Sequence, residues 1–435
     1  MEQHGFNGFS FHPTIMKAVE NLKFRQPTEI QRQVIPAVLQ GTSVVGQSYT
    51  GSGKTHAYLL PLFNQLENKQ EVQFVITAPT RELATQIHEE ARKIIRYAGK
   101  EHEWKAKLLI GGTDKQKMME KLKEPPHIII GTPGRILDMV KEGAVSLYSA
   151  RSFGIDEADL TLDLGFLQEV DQLLVRCKPD IQLLAFSATI PPKLSHFFQK
   201  YMDTPIHVKL NDSVSPETME HRLIHLRHRT RSDVITTLSQ VINPYLAIIF
   251  TNGKEEADEL AEILQEKGLD AGLIHGGLAP RERKRVLKDI QQLRYQYIVA
   301  TDLAARGIDI PGVSHVINAR LPKETDFYIH RVGRTARAGI EGTAISLYDE
   351  QDTKLINKLE ENNLSFTFYN IKNGEWQEIK TRKERTSRNT SASVDKKAWK
   401  QVHKPKKVKP GYKKKMKRQK EQVKHQLNKN QRQGR

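Results

Sequence analysis

The chain has 435 residues, a formal net charge of +17, 38% apolar residues and one cysteine. That length exceeds one ordinary core and implies two domains plus extras. Cys177 alone excludes an internal disulfide and a cysteine-based zinc site and fits a reducing compartment, while no apolar run approaches the roughly 20 residues that span a bilayer. The first residues, MEQHGFNGFS, lack a basic start followed by an apolar block, so no secretory signal is expected and a cytoplasmic, membrane-free protein is. The basicity is uneven: residues 381–435 carry 21 Lys and Arg against 3 Asp and Glu, and the rest carries 47 against 48. Any anion-binding groove in the body must therefore come from local placement of charge.

In chain order, short apolar runs alternate with helical patterns from about residue 40 to 350. Val44-Val45 precedes a glycine-rich loop and the helical run Ala57–Leu60. Strands are predicted at Phe74–Thr77, Ile128–Ile130, Phe153–Ile155 and Leu183–Phe186, then at Ala247–Phe250, Gly272–Ile274, Tyr297–Ala300, Val316–Ile317 and Ala344–Leu347. Between them, Glu255–Lys267 places Ala257, Leu260, Ala261 and Leu264 on one helical face. Continuous apolar strands alternating with helices predict parallel sheets covered on both faces, an α/β fold. Residues 211–218, polar and containing Pro216, read as a linker between two such arrays. Strand signals stop after about residue 366, and from 381 the chain has too few apolar residues to fold alone.

The loop Ser48-Tyr49-Thr50-Gly51-Ser52-Gly53-Lys54-Thr55 has the strand-before, helix-after context of a P-loop, with Ser48 where the strict pattern has glycine. Backbone N–H groups of such a loop curl around phosphates, Lys54 faces the β- and γ-phosphates, and the Thr55 hydroxyl suits Mg²⁺. About a hundred residues on, Phe153-Gly154-Ile155 leads into Asp156-Glu157-Ala158-Asp159. In isolation that run reads as an acidic helix start. Paired with a P-loop it reads as two carboxylates delivered to the phosphate end of a sheet, with Asp156 on Mg²⁺ and Glu157 orienting or deprotonating the attacking water. ATP and Mg²⁺ are the cofactors implied.

With these segments in order, roughly residues 6 to 350 resemble the DEAD-box family of ATP-dependent RNA helicases. Phe6 and Phe24-Arg25-Gln26-Pro27-Thr28-Glu29-Ile30-Gln31 resemble its adenine-reading Q motif: the Gln31 amide offers a donor and an acceptor to adenine, and Phe6 or Phe24 can stack on the base, core packing being the plain alternative for both. Pro79-Thr80-Arg81, Gly111-Gly112 and Thr132-Pro133-Gly134-Arg135 resemble the RNA-gripping loops of the first domain. Ser187-Ala188-Thr189 resembles the element that couples ATP state to strand separation through Asp159. In the second half, Thr251-Asn252, Arg283 and Thr301 match RNA-contacting positions. Gly307 and Asp309 match nucleotide-contacting ones, Arg334 and Arg337 the arginine fingers, and His330 the tie between the nucleotide site and Asp156–Asp159. Lys23, Ser48, Pro280 and Ala336 depart from the family pattern, replacing glycine, alanine, glutamine and glycine; Pro280 falls in an element that makes an interdomain contact.

The resemblance implies two tandem RecA-like domains and a basic disordered tail. The expected division is a Q-motif segment over 1–32, an ATP-binding domain over 33–209, a linker at 210–218, a second RecA-like domain over 219–365 and a tail over 366–435, disordered from about 381. It implies an RNA-stimulated ATP hydrolase, monomeric, that grips the RNA backbone without reading sequence and serves cold adaptation, ribosome assembly or mRNA turnover. The tail, with Trp399 and Tyr412 among its cations, suits RNA, ribosomal particles or RNA-decay proteins, or is a solvated solubility tail. A DNA translocase would share the fold but commonly lacks the glutamine element and the Asp-Glu-Ala-Asp, Ser-Ala-Thr pair. A non-catalytic scaffold would need a damaged Lys54, Glu157 or arginine finger, and all are intact.

Overall fold

A computed structural model of the chain describes residues 5–48, 51–210, 218–302, 310, 312–335, 341–372 and 374–379. Tyr49, Thr50, Gly307, Asp309, Ala336 and Arg337, the body of the linker and the basic tail lie outside the described residues.

The first sheet is built from β1 (Val44–Gln47), β2 (Phe74–Thr77), β3 (Ala106–Leu109), β4 (Ile128–Gly131), β5 (Ser152–Ile155), β6 (Gln182–Ser187) and β7 (Ile206–Lys209), in the order β3-β4-β2-β5-β6-β1-β7. Its pairings are parallel, with Val45 opposite Ala185 and Ile76 opposite Gly154. Alternation along each strand feeds two cores. Val44, Phe74, Ile76, Leu184 and Phe186 pack on one face, and Val45, Val75, Leu183 and Ala185 on the other. A strand apolar on both sides is what a sheet sandwiched between helices requires.

Early helices are α1 (Pro13–Asn21), α2 (Glu29–Leu39), α3 (Lys54–Asn64), α4 (Arg81–Ala98) and α5 (Lys115–Lys121). In α4 the Thr80 hydroxyl caps the N-terminus by accepting from Leu83 N at 3.2 Å. Ala84, Ile87, Ala91, Ile94, Ile95 and Ala98 form its buried stripe, and left-handed Gly99 ends it.

The second sheet repeats the plan with β8 (Met219–His225), β9 (Ala247–Thr251), β10 (Ala271–Ile274), β11 (Tyr297–Thr301), β12 (His315–Asn318) and β13 (Gly342–Tyr348). Its parallel part runs β10-β11-β9-β12-β13-β8. The helix facing it, Lys254–Glu266, buries the four positions the periodicity selects, Ala257, Leu260, Ala261 and Leu264. Both sheets belong to one compact unit that runs to Thr367 and includes Ile371–Glu375. Phe368–Asn370 and Trp376–Ile379 fall in another, in which Tyr369 and Trp376 pack edge to face at 5.2 Å.

Lys23 adopts φ +60°. That is the left-handed region in which a Cβ is strained by about 1–2 kcal/mol, so glycine would be the easier residue there.

Candidate functional site

The loop after β1 folds on itself. Ser48 N donates to Ser187 O at 3.1 Å, the Ser48 and Ser52 hydroxyls are 2.8 Å apart, and Lys54 Nζ donates to Ser48 O at 2.5 Å. Gly53 opens α3 at φ +97°, and a Cβ there would lie 2.8 Å from Gln31 Nε2 and 2.9 Å from Thr28 Oγ1. Glycine is thus forced by both backbone and space. Burial pulls the Lys54 ammonium below its ordinary pKa, and the charges of Asp156, Glu157 and Asp159 pull it back.

The segment that resembles an adenine reader is more closed than the sequence implies. The Gln31 amide accepts from Thr28 N at 3.0 Å and donates to Gly53 O at 3.2 Å, which fastens the segment before α2 to the phosphate loop. Phe6 is 4% exposed, stacked on Phe24 at 6.1 Å and edge-on to Phe9. It sits in the core, the plain alternative, and Phe24 is the half-buried ring of the pair. Phe24 in turn meets the His56 ring at 4.8 Å.

At the end of β5, Asp156, Glu157 and Asp159 are all buried. Burial, reinforced by the charge of Glu157, pushes the Asp156 carboxyl up to about 6 against the pull of Lys54. Glu157 stands at φ +46°, ψ +58°, a left-handed backbone for a non-glycine residue. Such strain collects at functional sites. Its Oε2 is buried with no hydrogen-bond partner among the described residues. Burial pushes the Asp159 carboxyl up, but the charge and hydrogen bond of His330 and the N–H groups of Thr189 and Leu160 outweigh it. The net result lies well below the usual carboxylate range.

Asp159 is the meeting point of the two lobes. Its Oδ2 accepts from Thr189 N at 2.9 Å, from the Thr189 hydroxyl at 3.1 Å and from His330 Nε2 at 3.1 Å. Its own N–H donates to the Ser187 hydroxyl, which donates to Thr189 O. The three coupling residues selected in the sequence thus share one carboxylate, and His330 reaches it from the second lobe. Arg334, 3% exposed, places Nη2 3.9 Å from Glu157 Oε1. Arg283 Nε meets Glu82 Oε1 at 2.7 Å. The departure at Pro280 therefore leaves that element's arginine bridging the lobes, with the proline at the first position of the helix Pro280–Gln291, where a missing N–H costs nothing.

The loops selected for RNA lie on the carboxyl edges of the sheets. Arg81 packs on the loop after β3: a Cβ on Gly112 would come within 2.7 Å of Arg81 Nη1. Thr132 precedes the helix Pro133–Lys141, and Arg135 reaches Thr113 O at 3.5 Å. Asn252 and Thr301 line a cavity of ≈ 580 Å³ that Leu160 and Asp163 border from the first lobe. Thr251 is buried, its hydroxyl on Gly253 O. Pro79 and Gly134 fall on the loop and helix turn beside these contacts.

Two buried side chains of the candidate site escaped the sequence reading. Tyr58, 1% exposed, donates its hydroxyl to Asp156 Oδ2 at 2.9 Å and also hydrogen-bonds Thr55, so one phenol spans both candidate metal ligands. A tyrosine four residues past the P-loop lysine reads as core packing, and no spacing rule finds it. Arg331, 1% exposed, donates to Asp302 at 2.8 Å, Asn318 at 3.2 Å, Arg320 O at 2.6 Å and Asn252 at 2.7 Å. It holds the Asn252 and Asp302 loops in register; among clustered arginines the sequence does not say which one turns inward.

Comparisons decide what this geometry belongs to. The family models "DEAD/DEAH box helicase" and "Helicase conserved C-terminal domain" match residues 28–197 and 231–339. The DEAD-box ATP-dependent RNA helicase CshB of Bacillus subtilis is 50% identical over 435 residues, 99% of each chain. The chain belongs to the DEAD-box ATP-dependent RNA helicases. It is an enzyme of two RecA-like domains that couples ATP hydrolysis to RNA unwinding. S. cerevisiae Dbp5 bound to RNA and ADP BeF3 aligns with TM-score 0.76 at 27% identity, covering 84% of this chain and 95% of that one. A variant of the same S. cerevisiae protein bound to other proteins and ADP aligns with TM-score 0.59 at 26% identity, covering 82% and 95%. Among the described residues, no helix is long and apolar enough to cross a membrane.

Proposed function

We propose that this helicase is a two-lobed clamp whose catalytic site is complete only when RNA and ATP hold the lobes together. The observation that carries this reading is the pair of contacts across the lobes, His330 on Asp159 and Arg334 beside Glu157. The division proposed is 1–32, 33–209, 219–365 and a basic tail from 366, joined by a linker at 210–218.

In the closed clamp, Lys54 and the N–H groups of the phosphate loop hold the phosphates, and Glu157 orients or deprotonates the water that attacks. Arg334, joined by Arg337, places guanidinium charge against the γ-phosphoryl as negative charge develops there. Gly307 and Asp309 complete the nucleotide pocket, and Phe24 and Gln31 hold the adenine edge. The hard oxygen donors of Thr55 and Asp156, without a cluster of three or more acidic or histidine ligands among the described residues, fit Mg²⁺, which keeps most of its shell for phosphate and water. Bound there, Mg²⁺ would neutralise charge on the β- and γ-phosphates.

RNA lies against Thr80, Arg81, Gly111, Gly112, Thr132, Arg135, Asn252, Arg283 and Thr301 through phosphate and sugar, so base preference is weak. Asp159, shared by Thr189 and His330, transmits closure: losing either partner leaves a buried carboxylate underpaired. The tail adds affinity for structured RNA or ribosomal particles through its cations. The proposed setting is a cytoplasmic monomer that serves cold adaptation, ribosome assembly or mRNA turnover. Glu157→Gln should keep both ligands bound and lose turnover. The test is filter binding of RNA with and without ATP beside an ATPase assay, and rapid hydrolysis by the variant overturns the role of Glu157.

A further inference from the structure

On the flank of the first lobe, a groove of ≈ 790 Å³ runs between α4 and β3, the edge strand of its sheet. Three separate elements send cations into it. Arg92 and Arg96 lie one turn apart on α4, Lys107 comes from β3, and Lys121 ends α5. The first two and Lys121 are exposed. Neighbouring Lys93 and Lys105 have carboxylate partners, Glu90 at 2.6 Å and Glu124 at 2.5 Å. Arg92, Lys107 and Lys121 have none among the described residues.

The convergence of like charge is felt inside the groove. The His88 ring, 3.3 Å from Ala106 O, is held below its ordinary pKa first by burial and then by the charges of Arg92 and Lys107. Lysine on an edge strand is a common guard against sheet extension, and Lys107 alone would need no more. That guard does not explain two arginines on the facing helix or a lysine from a third element. Six cations and two carboxylates, Glu89 and Glu101, line the groove, and that cationic excess, beside Trp104, is the recognition chemistry of a polyanion.

Both walls of the groove end at loops already assigned to RNA. Helix α4 begins at Arg81, and β3 leads into Gly111-Gly112, on which Arg81 packs. Arg92 and Arg96 lie roughly 16 and 22 Å from Arg81 along the helix at its usual rise per residue. We propose that this groove is a second, sequence-independent phosphate track that takes the RNA flanking the segment held in the cleft. It rests on the RNA-cleft reading and adds to it. The basic tail of the same chain is repelled from it, and an acidic peptide lacks the continuity with Arg81 and Gly111-Gly112 that an RNA strand has.

The test uses the full chain carrying Arg92→Gln, Arg96→Gln, Lys107→Gln and Lys121→Gln together, none of them in the ATP site or the cleft. Affinity is measured from 50 to 200 mM KCl for a 10-nucleotide RNA and for the same RNA with a 15-nucleotide single-stranded extension at either end. The 10-mer should bind within about two-fold of the parent, while the extended RNA weakens about ten-fold or more. Its log–log salt slope should flatten by about 2 to 3, since each lost single-strand phosphate contact removes about 0.7. Equal weakening of both RNAs, or none, overturns the proposal. So does unchanged RNA binding with loss of a poly-glutamate peptide that the parent binds, which would assign the groove to an acidic protein. If the parent fails to bind the 10-mer, the cleft reading itself fails. Arg92→Glu alone provides the same comparison should the quadruple variant not fold.

Discussion

Replacing Tyr58 by phenylalanine tests a single atom of the proposed phosphate site. The ring is 1% exposed and packs on Phe186 at 5.0 Å between centroids, so phenylalanine keeps the packing and removes only the hydroxyl. That hydroxyl donates to Asp156 Oδ2 over 2.9 Å, and a hydrogen bond to a charged group is worth about 1.5–3 kcal/mol. Burial and the charge of Glu157 push the Asp156 carboxyl up to about 6, while Lys54 and the Tyr58 hydroxyl pull it down. Without the hydroxyl it rises further, and protons compete harder with a cation at neutral pH. If about 1.4 kcal/mol of the lost hydrogen bond is felt at the cation site, binding there weakens about ten-fold. The free Mg²⁺ needed for half-maximal RNA-stimulated ATP hydrolysis should therefore rise about ten-fold. Turnover at saturating Mg²⁺ should stay within about two-fold, RNA affinity should not move, and raising the pH from 6 to 8 should recover part of the loss. An unchanged Mg²⁺ titration, or a fall confined to saturated turnover, refutes a positioning role for Tyr58.

Three further outcomes follow from the same contacts. His330→Ala leaves Asp159 buried without its partner from the second lobe, a cost of about 2–3 kcal/mol to the closed clamp, so RNA-stimulated hydrolysis should fall about 30- to 150-fold with little change in thermal unfolding; equal losses with and without RNA would contradict this. His221, 5% exposed and 3.0 Å from the Tyr328 hydroxyl, is held neutral by burial with its pKa lowered from 6.5 to about 4. Because the unfolded chain binds that proton more readily, stability is full above pH 6.5 and drains as pH falls toward 4, by about 2–3 kcal/mol at pH 4.5. Urea titrations at pH 7 and 4.5 should show a smaller pH difference in His221→Gln than in the parent, and identical differences would refute the assignment. Truncation after residue 380 should weaken RNA binding and flatten its salt dependence; an unchanged slope would remove the tail from RNA recognition.

Much of the architecture was legible because its strands are buried on both faces. Phe74–Thr77 and Ala247–Phe250 announce themselves as unbroken apolar runs, and their structured forms differ by no more than a residue. The strands missed were Ala106–Leu109, Ile206–Lys209 and Met219–His225 and, past residue 366 where no strand was expected, Thr367–Lys372 and Glu375–Glu378. The first two are sheet edges with a polar side, and the third follows the linker with histidines and an arginine in alternation, so none shows a continuous run. The gathering of Lys54, Asp156, Glu157 and Asp159 into one buried cluster was legible because the motifs that carry them fix both residue type and order. Tyr58 and Arg331 were not, because a tyrosine becomes a ligand-positioning group, and an arginine a buried hub, only through partners about a hundred residues away or in other loops. The buried placement of Phe6 was hidden for the same reason: one aromatic serves a core or a base equally well until its neighbours are known.

The central claim is that RNA completes an ATP site divided between two lobes. Steady-state ATP hydrolysis by the full chain, measured with single-stranded RNA, with DNA of the same sequence and with no nucleic acid, tests it most directly. RNA should raise turnover by at least about ten-fold while DNA leaves it at the basal rate, and Arg334→Ala should abolish the RNA-dependent part. Equal hydrolysis in all three conditions, or stimulation by DNA as strong as by RNA, would contradict the account.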